Sequence, residues 1–184
     1  TCALPISPEG RIAFIHAIAH IELNAIDLAW DMVARFTAVE LPDAFYADWV
    51  GVAADEARHF TLLADYLQRG GAAYGDLPAH DGLWEAAAQT SDDILARLAL
   101  VPLVLEARGL DTTPAAIAKL TGAGDRDAAA ILKTIAAEEI PHVAAGVRWF
   151  EYMCAARDLE PKSTYQRLVR ARFKGALKPP FATA

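Results

Sequence analysis

The sequence predicts an all-α protein: a four-helix bundle with short accessory helices. Three observations predict it. Alanine and leucine dominate a chain that is 54% apolar, and strand-favouring runs of Val, Ile and Thr are few. Apolar residues recur at the three- and four-residue spacing of a helix face. Four long stretches with that spacing are each bounded by helix start and stop signals. At 184 residues the chain suits a single domain, 1–184, with its bundle core over about 8–157 and a C-terminal helix and tail over 160–184.

The elements follow in order. Ser7-Pro8-Glu9 opens the first helix with an N-cap, a proline at the first helical position and an acid in the first turn. The helix runs to about Thr37, and Ile15, Ile18, Ala19, Glu22, Ala25, Ile26, Ala29 and Val33 share one broad face. A glutamate in the middle of that apolar face is the first anomaly. Pro42-Asp43 starts a second helix, which ends at about Arg69 before Gly70-Gly71. A Gly-, Pro- and Asp-rich crossover follows, with a short helix near Leu83 to Ala88. Ser91-Asp92-Asp93 caps a third helix expected to end near Arg108-Gly109. Thr113-Pro114 reads as the start of a short connector helix. A long helix then spans about Asp125 to Arg157, and Pro161 to Phe173 forms a last one.

The formal charge of −7 excludes a general attraction to nucleic acid or anionic lipid. The apolar stretches are broken by charged residues and histidines, so no membrane span and no signal peptide are expected, and a cytoplasmic place is. Cys2 and Cys154 stand apart and read as free thiols. The chain opens on Thr1, as a piece of a longer product would.

Each long helix carries an acid where its apolar stripe should be. The second has Glu56-Ala57-Arg58-His59 and the fourth Glu139-Ile140-Pro141-His142; residues three apart share a helix side, so each pair can bind one metal. The first and third helices offer Glu22 and Glu106. Glu22 precedes Glu56 by 34 positions and Glu106 precedes Glu139 by 33, so the chain reads as two hairpins of one pattern. Ten glutamates and five histidines in 184 positions supply about 0.3 Glu-x-x-His pairs by chance. Two copies on matching helices, each preceded by a lone core glutamate, are a far more specific signal.

Four carboxylates a few ångströms apart repel by about 4 kcal/mol per close pair at an effective dielectric near 20. An apolar interior tolerates them only with protons or cations, and two divalent ions balance four glutamates. Imidazole with carboxylate, without thiolate, suits two iron ions, with manganese or a mixed Mn/Fe pair as the alternative. Glu22, Glu56, His59, Glu106, Glu139 and His142 are the candidate ligands.

These residues resemble a known group. Asp55-Glu56-Ala57-Arg58-His59 is similar to the Asp-Glu-x-Arg-His motif of di-iron monooxygenases. More closely, Ser7 to about Phe181 resembles an uncharacterised bacterial family of ferritin-like domain proteins. The resemblance rests on His16-Ala-Ile-Ala-His20-Ile-Glu22, Asp55-Glu-Ala-Arg-His59-Phe, Pro78-Ala-His-Asp-Gly-Leu-Trp84 and Leu105-Glu-Ala-Arg-Gly-Leu-Asp111. It implies a ferritin-like fold and a di-metal site, and no settled substrate. A fold-level analogy extends to the tRNA hydroxylase acting on methylthio-isopentenyl-adenosine. In the monooxygenases the acid before each Glu-x-x-His orients the opposite histidine, which here implies Asp55 and Glu138. Relatives tend to carry glycine where this chain has Pro141, which implies a kink or bulge there.

Arg58 and Arg108 are expected to anchor carboxylates. His16, His20, Asn24, Asp27 and Asp31 form a polar stripe beside Glu22, either a network around the metals, with His20 nearest, or a structural one. Trp84 and Trp149 read as packing residues. Lys162, Arg167, Arg170, Arg172, Lys174 and Lys178 make a basic end, either a solvated face or an RNA phosphate contact. The first functional expectation is an O2-activating oxidoreductase, a hydroxylase of a small or nucleoside-type substrate with an unspecified electron donor, as monomer or homodimer. A ferroxidase or iron-handling protein, and a scaffold stapled by metal, are the alternatives.

Overall fold

The computed structural model describes residues 7–175 and 178–179. Cys2, Phe181 and the end of the tail lie outside them. The described residues form an all-α bundle of seven helices, α1 (Pro8–Arg35), α2 (Asp43–Arg69), α3 (Gly82–Ala88), α4 (Ile94–Leu100), α5 (Ala107–Gly122), α6 (Arg126–Ala156) and α7 (Pro161–Arg172), with a six-residue π-helical stretch, Val101–Glu106, between α4 and α5.

Local chemistry sets the boundaries. The Ser7 hydroxyl accepts the Gly10 N–H at 3.1 Å, capping α1, and Asp125 caps α6 by accepting from Ala128 N–H. Glu160 caps α7 through the amides of Lys162 and Ser163. Gly124, at φ +79°, supplies the left-handed turn between α5 and α6.

The third long helix departs from expectation. It runs without a break from Ile94 to Gly122, through Gly109 and Pro114, so the expected stop at Gly109 and separate connector helix merge into one path. Pro114 is exposed, so water can take the carbonyl it leaves unpaired. Pro141 is likewise exposed, and α6 stays α-helical through it instead of bulging. The bulge falls at Pro102, which is buried and packs on α6. There Gly146 allows close approach: a Cβ on it would lie 2.6 Å from Pro102 Cβ.

α1 packs along α2, and the α4–α5 path packs along α6; α2 and α6 meet across the centre. α3 sits on α1, and α7 closes over α4. The interior falls into two main apolar cores. One joins Phe45, Trp49, Trp149, Phe150 and every residue of α4 except Arg97. The other joins Ile15, Ala19, Leu63, Leu67, Leu120 and Leu132. Glu22, Glu56, Glu106 and Glu139 come from the stretches between them.

By length and composition alone α1 could cross a membrane, contrary to expectation. In the fold Ile15, Ala19, Leu28, Ala29 and Met32 of that helix are buried in the bundle interior. The polar stripe beside Glu22 is divided between two structural ties. His16 accepts the Gly75 N–H at 2.9 Å and stacks on Tyr74. Asp31 pairs with the buried Arg97, which also donates to Thr90 Oγ1 and the Ala87 carbonyl. Arg172 of the basic end pairs with Asp92 at 2.9 Å.

Candidate metal centre

Helical register brings five of the six candidate ligands into direct contact. His59 Nδ1 lies 3.2 Å from Glu56 Oε2, 3.3 Å from Glu22 Oε2 and 3.9 Å from Glu139 Oε1. His142 Nδ1 lies 3.1 Å from Glu56 Oε1 and 3.4 Å from Glu139 Oε2. Glu56 therefore offers one oxygen to each imidazole. One donor atom each from Glu22, Glu56, His59 and Glu139 lies within 4.8 Å of the others. Glu56 and His59 have no exposed surface, and Glu22 and His142 are buried. Glu106, the sixth residue, faces the same space as Glu22, Glu56 and Glu139.

Both imidazoles turn Nδ1 inward and Nε2 outward, each to an acid on the opposite helix. His59 Nε2 donates to Glu138 Oε2 at 2.8 Å, and His142 Nε2 to Asp55 Oδ2 at 3.2 Å. This is the crossed arrangement the sequence implied, and it fixes each ring with Nδ1 aimed at the carboxylates. Arg58 then ties the two outer acids together, at 2.9 Å from Asp55 and 2.7 Å from Glu138. Arg108 pairs with Asp111.

His20 does not join this shell. Its Nδ1 meets the Tyr74 hydroxyl at 2.8 Å, and its Nε2 lies 3.0 Å from the His80 carbonyl and from Asn24 Nδ2. It ties the crossover to α1. Tyr74 and His80 lie 54 and 60 positions away in an irregular segment, and no helical periodicity reveals such partners.

The electrostatics are those of a site held by protons. Burial works against charge on His59, but hydrogen bonds with Glu22 and Glu56 outweigh it and push the ring up to about 10. Burial opposes charge on His142 as well, and Glu139 and Glu56 push it up to about 11. Burial would raise Glu56, yet its hydrogen bonds from His142 and His59 hold it down at about 2. Burial, with the charges of Glu139 and Glu56, pushes Glu106 up to about 8. Burial likewise holds Glu22 well above the usual carboxylate range and raises Glu139.

Divalent cations fit this donor set. Glu106 Oε2 is buried with no hydrogen-bond partner, and Glu139 Oε2 has none beyond its 3.4 Å ion pair with His142; such atoms are costly unless something binds them. A cation would take both, while displacing the protons now held on the imidazoles.

Residues 5–184 match the family described as Protein of unknown function (DUF455). The chain belongs to this family. It is also 43% identical over 178 residues to an uncharacterised protein of Haemophilus influenzae, covering 92% of this chain and 62% of that one. The DUF455 chain thus spans less than two thirds of that relative's length. No solved structure matches it.

On the side away from the histidines, the DUF455 centre opens into a cavity of about 310 Å³. Glu22, Glu56, Glu106 and Glu139 form its polar end, and Phe14, Ile18, Leu105, Leu110, Leu132 and Ile135 are among its apolar walls. The sequence reading named the four glutamates and missed these walls. Their signal is faint, because a cavity wall and a packed core use the same residue types.

Proposed function

We propose that this DUF455 protein is a di-metal carboxylate oxidoreductase: two ions, most simply iron, held by Glu22, Glu56, His59, Glu106, Glu139 and His142, activate O2 to oxidise an organic substrate. The observation that carries it is the apolar cavity ending on the carboxylates, with imidazoles fixed behind them. When bound and reduced, the metal pair supplies the electrons that O2 chemistry needs, and an external donor must restore them.

The chain's own residues do the rest. Asp55 and Glu138 hold the Nε2 protons of the two histidines and keep Nδ1 free for a cation. Glu56, with one oxygen towards each imidazole, would help to hold both ions. Apolar walls exclude water and leave the cavity side of the centre open to O2 and substrate. Those walls separate this reading from iron handling, since an aquated metal ion gains nothing from hydrocarbon on its path.

The test is elemental analysis of protein from iron-supplemented cells, with rapid-mixing spectroscopy of the anaerobically reduced protein against O2. About two irons per chain and a transient absorbance on mixing support the proposal. Absence of metal, or reduced metal inert to O2, overturns it.

A further inference from the structure

The cavity has more to say than its contact with the carboxylates. Glu22, Glu56, Glu106 and Glu139 apart, its lining holds no charged side chain. Thr112 and Thr113 are the other polar residues there, and the Thr112 hydroxyl donates back to the Arg108 carbonyl at 3.1 Å. Among the described residues no lysine or arginine reaches in to receive a phosphate or carboxylate. The exposed lining residues are Ile21, 48% exposed, and Thr112, whose hydroxyl is already used within its own helix, so the mouth carries no charge.

The volume of about 310 Å³ equals that of roughly ten liquid waters at about 30 Å³ each. It lies at the small end for ligand pockets, about 300–1,000 Å³. An occupant of roughly ten non-hydrogen atoms fills it.

Gly109 bears on that size directly. It lies in the body of α5, where glycine is a poor helix former, and it lines the cavity. A Cβ built there meets nothing within 4 Å. No neighbour requires it to be small, in contrast to Gly146, whose Cβ would strike Pro102. What the missing side chain leaves open is the cavity itself.

We propose that this cavity binds an uncharged, mostly hydrocarbon group of about ten non-hydrogen atoms, and that Gly109 sets its size. The role of that group as the substrate to be oxidised rests on the reading above; its binding does not.

The probes are 1-hexanol, 1-octanol and octyl phosphate, titrated calorimetrically into the full chain, metal-loaded and metal-free. Wild type is expected to bind one 1-octanol, with octyl phosphate at least tenfold weaker. Gly109→Leu places four carbons in the cavity and is expected to weaken 1-octanol tenfold or more without changing metal content. Gly109→Ala is the conservative second variant, and it is expected to shift preference from 1-octanol towards 1-hexanol. Equal 1-octanol affinity in wild type and Gly109→Leu overturns the proposal, as does an unchanged chain-length preference in Gly109→Ala or tighter binding of octyl phosphate. Gly109-dependent 1-octanol binding by a protein that holds no metal supports the cavity and removes the oxidation. A metal-loaded protein that binds none of the probes does the reverse.

Discussion

The two walls of the centre use one chemistry and finish it differently. On the wall built by α2 and α6, both imidazoles are partnered at each nitrogen, the outer acids are tied by Arg58, and Glu56 serves two rings at once. The wall from α1 and the α4–α5 path presents Glu22 and Glu106 to an apolar space, and Glu106 Oε2 has no hydrogen-bond partner. The first wall is fastened at its histidines, while the carboxylates that face the cavity, Glu139 of α6 among them, are less tied. The difference teaches that the histidine side is held in one geometry by its own partners, whereas the cavity side keeps buried carboxylate oxygens without hydrogen bonds.

The largest test of this contrast removes the shared carboxylate. Glu56→Ala is expected to lower metal content at least a hundredfold, measured by elemental analysis, because both imidazoles lose their common partner. Acidity should act through the same wall. Both rings carry Nδ1 protons until about pH 10 and 11, and a cation must displace them. Affinity should therefore rise with pH, about tenfold per unit for each proton released, so at least about a hundredfold per unit from the two rings and more below about pH 8, where Glu106 still holds its proton. Metal titrations at pH 6, 7 and 8 read this, and a flat profile breaks the account.

Smaller effects follow from the outer acids. Asp55→Asn and Glu138→Gln should each weaken metal binding about 10- to 100-fold, while Thr113→Val on the open wall should change it by less than about twofold. If both walls responded equally, the contrast would fail. The smallest effects concern stability and separate the two glycines. Gly146→Ala should lower stability by about 1–3 kcal/mol by pressing on Pro102, whereas Gly109→Ala should raise it by about 0.5–1 kcal/mol. Thermal unfolding of the metal-free protein measures both.

The parts of this molecule visible in its sequence are those governed by local rules. Ser7, Gly70, Asp125 and Pro161 mark helix ends, and the observed limits fall within about two residues of those expected. The Glu-x-x-His pairs were legible because a three-residue spacing has one meaning on a helix. Asp55 and Glu138 were legible only through resemblance, since their partners lie 87 and 79 positions away. The third helix was misread at Gly109 and Pro114, both of which a helix accepts when one borders open space and the other faces solvent. The bulge expected at Pro141 falls instead at Pro102, which the sequence reading did not single out. Solvent exposure decides whether a proline disturbs its helix, and exposure is a property of the fold.

The π-helical stretch has a consequence for how this centre tolerates change. Each residue advances an α-helix by about 100°, so a widened turn resets the angular phase of everything beyond it. Ahead of Val101–Glu106, α4 is buried on all sides; Glu106 at the end of the stretch, and Gly109 and Leu110 beyond it, line the cavity. Narrowing this stretch to regular α-helix without removing a residue would swing Glu106 by about 100° relative to α4, whereas deleting one residue, such as Val104, would restore the ladder and leave Glu106 in phase. The widened turn and its extra residue are matched, so the length of this segment, as much as its composition, sets where Glu106 points.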